Sequence, residues 1–232
     1  DSNGRLSTVT DATGQVWTYE WEADPQTQWR LKRLRNPRVG VPSNLVMENT
    51  YNAAGRLVTQ KRADDGLFTF SYTTSNPGDP SSTVIGAQVT DPMGHTKSYR
   101  FNSGGFVTEE VDELGNKTVY LRHPTNNQLL STTDPLGRVT AFEYDDPKTS
   151  QPTKIIDPNH GETLITYDSR FALPTSFVDP VGNTVTIQYD GGGNPVVVTD
   201  ERGKPWTATY DGRGLPLTIA TIDDTRHTSA SQ

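Results

Sequence analysis

One phrase recurs along this 232-residue chain, and its spacing constrains the fold more than any other property. It reads Asp134-Pro135-Leu136-Gly137 then Tyr144-Asp145, and Asp157-Pro158-Asn159-His160-Gly161 then Tyr167-Asp168. It returns as Asp179-Pro180-Val181-Gly182 then Tyr189-Asp190, and as Asp200-Glu201-Arg202-Gly203 then Tyr210-Asp211. The opening Asp at 134, 157, 179 and 200 gives spacings of 23, 22 and 21 residues. Self-similarity at a fixed period marks an array whose units are each too small to bury an apolar face alone.

Both halves of the phrase are turn chemistry. In Asp-Pro-x-Gly the carboxylate accepts from a backbone N–H two residues on, Pro presets φ, and Gly takes a positive φ without steric cost. Tyr-Asp-x-x-Gly is a second turn preceded by an aromatic residue. Two turns of about four residues in a period near 22 leave two segments of about seven, the usual length of a strand. Each unit therefore reads as a β-hairpin with strands of roughly 23 Å at ~3.3 Å per residue. Alternation supports strand over helix: Val185, Ile187 and Tyr189 share one parity, and Thr184, Thr186 and Gln188 the other. The same parity holds for Trp17, Tyr19 and Trp21, for Phe68, Phe70 and Tyr72, and for Trp206, Ala208 and Tyr210. Aromatic residues at equivalent heights in neighbouring hairpins predict a ladder of rings stacked across strands.

Turn-opening residues can be placed at Asp11, Asn36, Asp64, Asp91, Asp112, Asp134, Asp157, Asp179, Asp200 and Asp223. The array thus spans residues 1–232 in about ten units, irregular and longer over 22–90 and regular over 91–223. Extra residues fall in the Pro/Gly/Ser-rich stretches Asn36–Ser43 and Ser75–Ser82, which read as lengthened rim loops. One unit departs from the rule: Arg122-His123 stands where Tyr-Asp is expected, the following turn has no Gly, and Tyr120 is placed to carry the aromatic role. The stretch after Asp223-Asp224 is small and polar, and neither end resembles a cap, so the chain reads as a fragment of a longer array.

Composition fits a thin sheet with one wetted face: 31% of residues are hydrophobic and 21% charged, with 20 Gly and 16 Pro. A net charge of −7 argues against nucleic acid or an anionic membrane as partner. No cysteine is available for disulfides or thiolate metal sites, no apolar run approaches ~18 residues, and the first residues are no signal peptide.

The chemistry-bearing residues do not converge. His95, His123, His160 and His227 lie in separate units without metal-ligand spacing. The adjacent acids Asp64-Asp65, Glu109-Glu110, Asp145-Asp146 and Asp223-Asp224 point to opposite faces of a strand or sit in solvated turns. Gly191-Gly192-Gly193 follows Tyr189-Asp190 as a turn and precedes no Lys-Ser/Thr. No residue is assigned to catalysis, to a cofactor or to a metal.

The phrases Tyr51-Asn52-Ala53-Ala54-Gly55-Arg56-Leu57, Tyr210-Asp211-Gly212-Arg213-Gly214-Leu215 and Asp134 to Arg138 resemble the RHS/YD-repeat family over nearly the whole chain. The resemblance implies an all-β fold, an array of antiparallel hairpins forming a spiralling ribbon that is part of a hollow β-cocoon. It also implies a structural role, as wall of a shell that encapsulates a C-terminal toxin domain before delivery to a target cell, without catalysis in this segment. Family members include bacterial polymorphic toxins, some delivered by type VI secretion in interbacterial competition, C components of insecticidal toxin complexes, and teneurins. Implied partners are the remainder of the shell, the enclosed toxin, and secretion-spike or chaperone proteins, with the bacterial cytoplasm as the location before export. An aspartate autoprotease closes the shell in many bacterial members; its Asp/Gly/Asn-rich segment has no match here, and Thr221–Gln232 does not supply it. The alternative is a carbohydrate- or receptor-binding surface with Trp17, Trp21, Trp29 and Trp206 as platforms.

Overall fold

The computed structural model describes residues 1, 3–23, 29–37, 44–79 and 81–221. Among these the chain forms nineteen strands and no helix, and every paired strand is antiparallel to its neighbour. The chain divides into two compact units, residues 1–119 and 120–232.

In the first unit the strands are β1 (Thr8–Thr10), β2 (Val16–Trp21), β3 (Leu31–Arg35), β4 (Leu45–Tyr51) and β5 (Leu57–Arg62), followed by β6 (Leu67–Thr74), β7 (Val84–Thr90), β8 (Thr96–Phe101), β9 (Val107–Val111) and β10 (Lys117–Arg122). Each pairs with the next in sequence, β10 through Lys117–Val119. The second unit repeats the pattern with β11 (Leu129–Thr133), β12 (Val139–Glu143), β13 (Lys154–Ile156), β14 (Glu162–Tyr167) and β15 (Pro174–Val178), then β16 (Thr184–Tyr189), β17 (Pro195–Thr199), β18 (Pro205–Tyr210) and β19 (Pro216–Thr221). The expected all-β hairpin array is what forms, and within each unit it is a meander with no crossover.

Two kinds of turn alternate, so each sheet has an Asp rim and a Tyr rim. On the Asp rim, Asp134 N–H donates to the Arg138 carbonyl and Gly137 N–H donates back to the Asp134 carbonyl, at 3.0 and 2.9 Å. Asp134 Oδ1 accepts from the N–H groups of Leu136 and Arg138, both at 2.9 Å. The same double acceptance recurs at Asp11, Asp91, Asp112, Asp157, Asp179 and Asp200, and on the Tyr rim at Asn102, Asp190 and Asp211. One side-chain Oδ1 thus closes each of these turns, which explains why Asp and Asn are the residues that recur.

Several turns depart from the expected register. Arg62, not Asp64, opens its turn: Arg62 N–H donates to the Gly66 carbonyl and Asp65 N–H to the Arg62 carbonyl. Asp65 therefore takes the left-handed position, φ 63°, which Asp tolerates through local hydrogen bonding. His160, φ 66°, and not Gly161 takes it after Asp157. In the loop after β14 no glycine is available, and Ala172 adopts φ 56° in a longer turn that Asp168 opens. After β12 the tight turn centres on Asp146, whose Oδ1 accepts from Lys148 N–H at 2.8 Å; Asp145 instead accepts from the Thr153 hydroxyl at 3.1 Å. In the divergent unit His123 stands in the place of Asp, its Nδ1 3.1 Å from the Thr125 hydroxyl, and Asn127 at φ 60° stands in the place of Gly. The stretch Ser75–Ser82 is a lengthened loop as expected, with Ser75 N–H donating to the Thr83 carbonyl. Residues 38–43, Pro80 and everything after Thr221, including the turn expected at Asp223 and the polar tail, lie outside the described residues.

The two faces differ. One carries Trp17, Tyr19 and Trp21 with Phe68 and Phe70, and in the second unit Phe142, Ile165, Ile187, Val198 and Trp206. The other carries charge and threonine: Glu20 faces Arg33, Arg33 faces Glu48 and Glu48 faces Lys61, while Thr186 faces Thr199 and Thr209 faces Thr218. Burial is thin on both. Among the described residues Ile165, Ala208 and Asn49 are the buried hydrophobic or polar side chains, at 8, 3 and 6% exposure. Each sits two residues before a unit-ending tyrosine, so the deepest point of a hairpin lies beside its aromatic residue.

Candidate functional site

The most elaborated feature of the fold is a buckle at the Tyr rim, repeated along the array. In most Asp-rim hairpins an aromatic donor at the end reaches back to the carbonyl at the hairpin's own start; the hairpin of β7 and β8 ends instead in Phe101, which has no donor, and that of β9 and β10 in Arg122. Tyr144 Oη donates to Leu129, Tyr167 to Pro152, Tyr189 to Pro174 and Tyr210 to Pro195, at 2.9, 2.9, 2.7 and 3.1 Å. In the first unit Tyr51 reaches Leu31 and Tyr72 reaches Leu57, both at 2.8 Å, and the Trp21 indole N–H reaches Leu6 at 2.8 Å. The reach is 15 residues in every case except Tyr51, where it is 20 because the loop between β3 and β4 is longer.

Four of these carbonyls, those of Leu31, Leu57, Pro174 and Pro195, lie where the ladder is broken: the register shifts by one residue at Glu20/Trp21, Thr50/Tyr51, Thr166/Tyr167 and Gln188/Tyr189. A bulge disrupts the ladder and increases local twist, and a backbone carbonyl removed from both ladder and water costs free energy. The aromatic donor supplies the missing partner. Burial pushes the Tyr72, Tyr144, Tyr167 and Tyr189 phenols up, which keeps them protonated and able to donate.

The Gly-Arg-Leu phrase acquires a mechanical meaning from this geometry. Leu6, Leu31 and Leu57 supply the carbonyls, and the preceding Arg5, Arg30 and Arg56 lie over the rings of Trp21, Tyr51 and Tyr72, 6.0, 5.9 and 5.9 Å from the centroids. Each such contact adds roughly 0.5–1 kcal/mol at an exposed site. Arg30 also lies against Gly55, so a Cβ there would collide with its guanidinium. In the second unit the arginines give way to Gln151-Pro152, Leu173-Pro174 and Asn194-Pro195. Among the described residues the expected ring ladder does not form: the ring pair the structure shows, Tyr99–Phe101 with centroids 6.4 Å apart, lies along one strand. The rings are spaced two strands apart, and their edges are turned to carbonyls. The two-residue parity of the aromatics does not distinguish these arrangements; the 15-residue interval to Leu or Pro is the sequence signal that could have.

The other candidates are dispersed. His95 pairs with Asp91 at 3.0 Å, His123 and His160 serve turns, and His227 and Asp223-Asp224 lie outside the described residues. Among the described residues no group of three or more His, Asp or Glu could hold a metal ion. Glu109 and Glu110 point to opposite faces, toward Arg100 and Lys117 and toward Lys97 respectively. Gly191–Gly193 is the tip of the turn that Asp190 closes. Trp21 is committed to its buckle, and Trp29 is the tryptophan left 65% exposed.

The family model for the RHS repeat matches residues 1–24 and 124–162. No curated protein sequence matches the chain. Solved structures do: crystal structures of TcdB2-TccC3-Cdc42 and TcdB2-TccC3 are each 17% identical with a TM-score of 0.55, over 95% and 98% of this chain and 13% and 14% of those chains. TcdB2-TccC3 without its hypervariable C-terminal region is 17% identical with a TM-score of 0.56, over 97% of this chain and 13% of that one. The chain thus spans about an eighth of the length of the structures it matches, and the likeness is one of fold. Residues 1–24 and 124–162 thus carry the RHS repeat, and the recurring Asp-Pro-x-Gly and Tyr-Asp-x-x-Gly turns and the hairpin meander make the rest of the chain similar to the RHS/YD-repeat family.

Proposed function

We propose that this chain is a wall segment of an RHS-repeat shell that encloses a C-terminal toxin domain of its parent polypeptide. The observation that carries the reading is the buckle: the fold's special chemistry is spent on closing hairpins along the array, which makes a sheet of any length. Two unlike faces, one aromatic and one of charge and threonine, suit a wall with an inside and an outside. The likeness to TcdB2-TccC3 supports the same architecture. On this reading the segment itself performs no catalysis, its partners are the rest of the shell, the enclosed domain and the spike or chaperone proteins of its export route, and the parent is held in the bacterial cytoplasm before delivery into a target cell, by type VI secretion in competition between bacteria.

Limited proteolysis of the parent polypeptide tests this. The segment downstream of the repeats should resist protease in the parent and be cut rapidly when expressed alone. Replacing Tyr144, Tyr167, Tyr189 and Tyr210 by Phe in the parent should shorten the protection. Equal cleavage rates in the parent and in isolation would end the proposal.

A further inference from the structure

The side chain that leaves a tight turn behaves differently on the two rims. On the Asp rim it folds back on the Asp that opens the same turn: His95 Nδ1 lies 3.0 Å from Asp91, Asn116 donates to Asp112 at 2.8 Å, Arg138 to Asp134 at 2.6 Å and Asn183 to Asp179 at 2.7 Å. All four are exposed. On the Tyr rim the corresponding residue is the one before the buckle carbonyl, and at six places its side chain reaches forward to the next Tyr-rim turn. In the first unit Arg5 donates to the Glu22 carbonyl at 3.3 Å, Arg30 lies against Gly55, and Arg56 donates to the Ser82 carbonyl at 2.7 Å. In the second unit Gln128 donates to the Asp146 and Thr149 carbonyls at 2.8 and 2.7 Å, and Gln151 to the Ala172 carbonyl. Asn194 lies where a Cβ at Gly214 would meet its Oδ1 at 3.1 Å. Arg5 and Asn194 also hold the Asp of their own turn, at 2.6 and 3.0 Å. Leu173 has no donor, and there Phe171 of the same turn packs on Gly193 instead. All six side chains are half-buried.

We propose that these side chains are latches that join successive Tyr-rim turns into a seam, so that a Tyr-rim turn opens with the turn that latches it while Asp-rim turns open singly. The direction is constant. Each latch points toward the C-terminus, and what it meets is the backbone of the next turn, a carbonyl or a bare glycine. Arg in the first unit and Gln in the second are therefore interchangeable, since each supplies N–H donors at the end of a long stem. The latch on Ala172 carries the most weight, because Ala172 stands at φ 56°, a conformation that costs free energy and persists where the surroundings fix it. The proposal holds whatever the array encloses.

Amide hydrogen exchange in the whole chain tests it through Gln151→Ala. The Asp-rim turn at residues 157–161 lies between Gln151 and Ala172 in sequence and serves as the internal control. Exchange should quicken about fivefold at Arg170, Phe171 and Ala172 and stay unchanged at Asn159 and Gly161. Gln151→Arg, the residue type the first unit uses, should keep the protection at residues 170–172. Gln128→Ala should act one turn earlier, at Lys148 and Thr149. On the other rim, Asn183→Ala should quicken exchange at Val181 and Asn183 and leave the Tyr-rim turns as they were. Unchanged exchange at residues 170–172 in Gln151→Ala, a rise shared equally by Asn159 and Gly161, or an effect of Asn183→Ala that spreads to the neighbouring turns overturns the proposal.

Discussion

Replacing Tyr189 by Phe removes one oxygen and leaves the ring, so it isolates the buckle from the packing around it. The lost bond is 2.7 Å long and ends on the Pro174 carbonyl beside a bulge. A hydrogen bond contributes about 0.5–1.5 kcal/mol net, and an acceptor stranded away from water costs ~1–3 kcal/mol. Because the phenol is half-buried and water can partly replace it, about 1 kcal/mol is expected at each position. Tyr144, Tyr167, Tyr189 and Tyr210 share no partner and lie about 10 Å apart along the array, so their effects should add to roughly 4 kcal/mol. That is a large fraction of the ~5–15 kcal/mol by which a domain is usually stable. Urea unfolding followed by tryptophan fluorescence measures the single variants and the fourfold one. Tyr19→Phe is the control, since no hydrogen bond is described for its hydroxyl. Tyr→Phe costs below about 0.3 kcal/mol at all four positions, indistinguishable from the control, would show that ring burial and not the donor closes the hairpin.

Other perturbations follow from the same geometry. Ala172→Gly should stabilise the chain by up to ~1 kcal/mol by relieving a left-handed residue, φ 56°, and Gly137→Ala at φ 79° should cost about as much; thermal melts would show both. Arg56→Ala should lose roughly 0.5–1 kcal/mol of contact with Tyr72, measurable by urea unfolding. Acid should loosen the turns. The carboxyls of Asp11, Asp91, Asp112, Asp134, Asp168, Asp179, Asp190 and Asp211 titrate below the ordinary range, Asp134 through the Arg138 N–H and Asp168 to about 2 beside Arg170, so this stability is complete above the unfolded pKa near 4 and is lost as pH falls toward 2. Alkali should open the buckles. The raised phenols contribute fully below pH ~10 and lose that contribution as pH rises through their folded values, with hydrogen exchange at β15 and β17 as the readout.

The strands and most tight turns were legible because Asp, Pro and Gly act locally, and local rules suffice when every strand pairs with its neighbour in sequence. Asp64 misled because two acids stand together there, and only the hydrogen bonds show that Arg62 opens the turn. His123 in the place of Asp and Asn127 in the place of Gly could not be read from residue type, since each substitutes for its counterpart by one atom's chemistry or by tolerance of one backbone conformation. The buckle was missed for another reason. Aromatic residues on one face suggest stacking, and the competing demand, a carbonyl left by a bulge, becomes visible only when the register shift at Thr166/Tyr167 is seen.

The constant 15-residue reach has a consequence for length. Every fastening is completed inside one hairpin or between consecutive ones, so the interior of the ribbon carries no information about how many hairpins lie ahead or behind. A repeat can be added or removed by joining rim to rim, and an insertion such as the five extra residues spanned by Tyr51 and Leu31 is absorbed at the edge while the fastening closes as before. The amount of sheet is then set by counting alone, and a chain of this kind can be lengthened in evolution without redesigning a single joint.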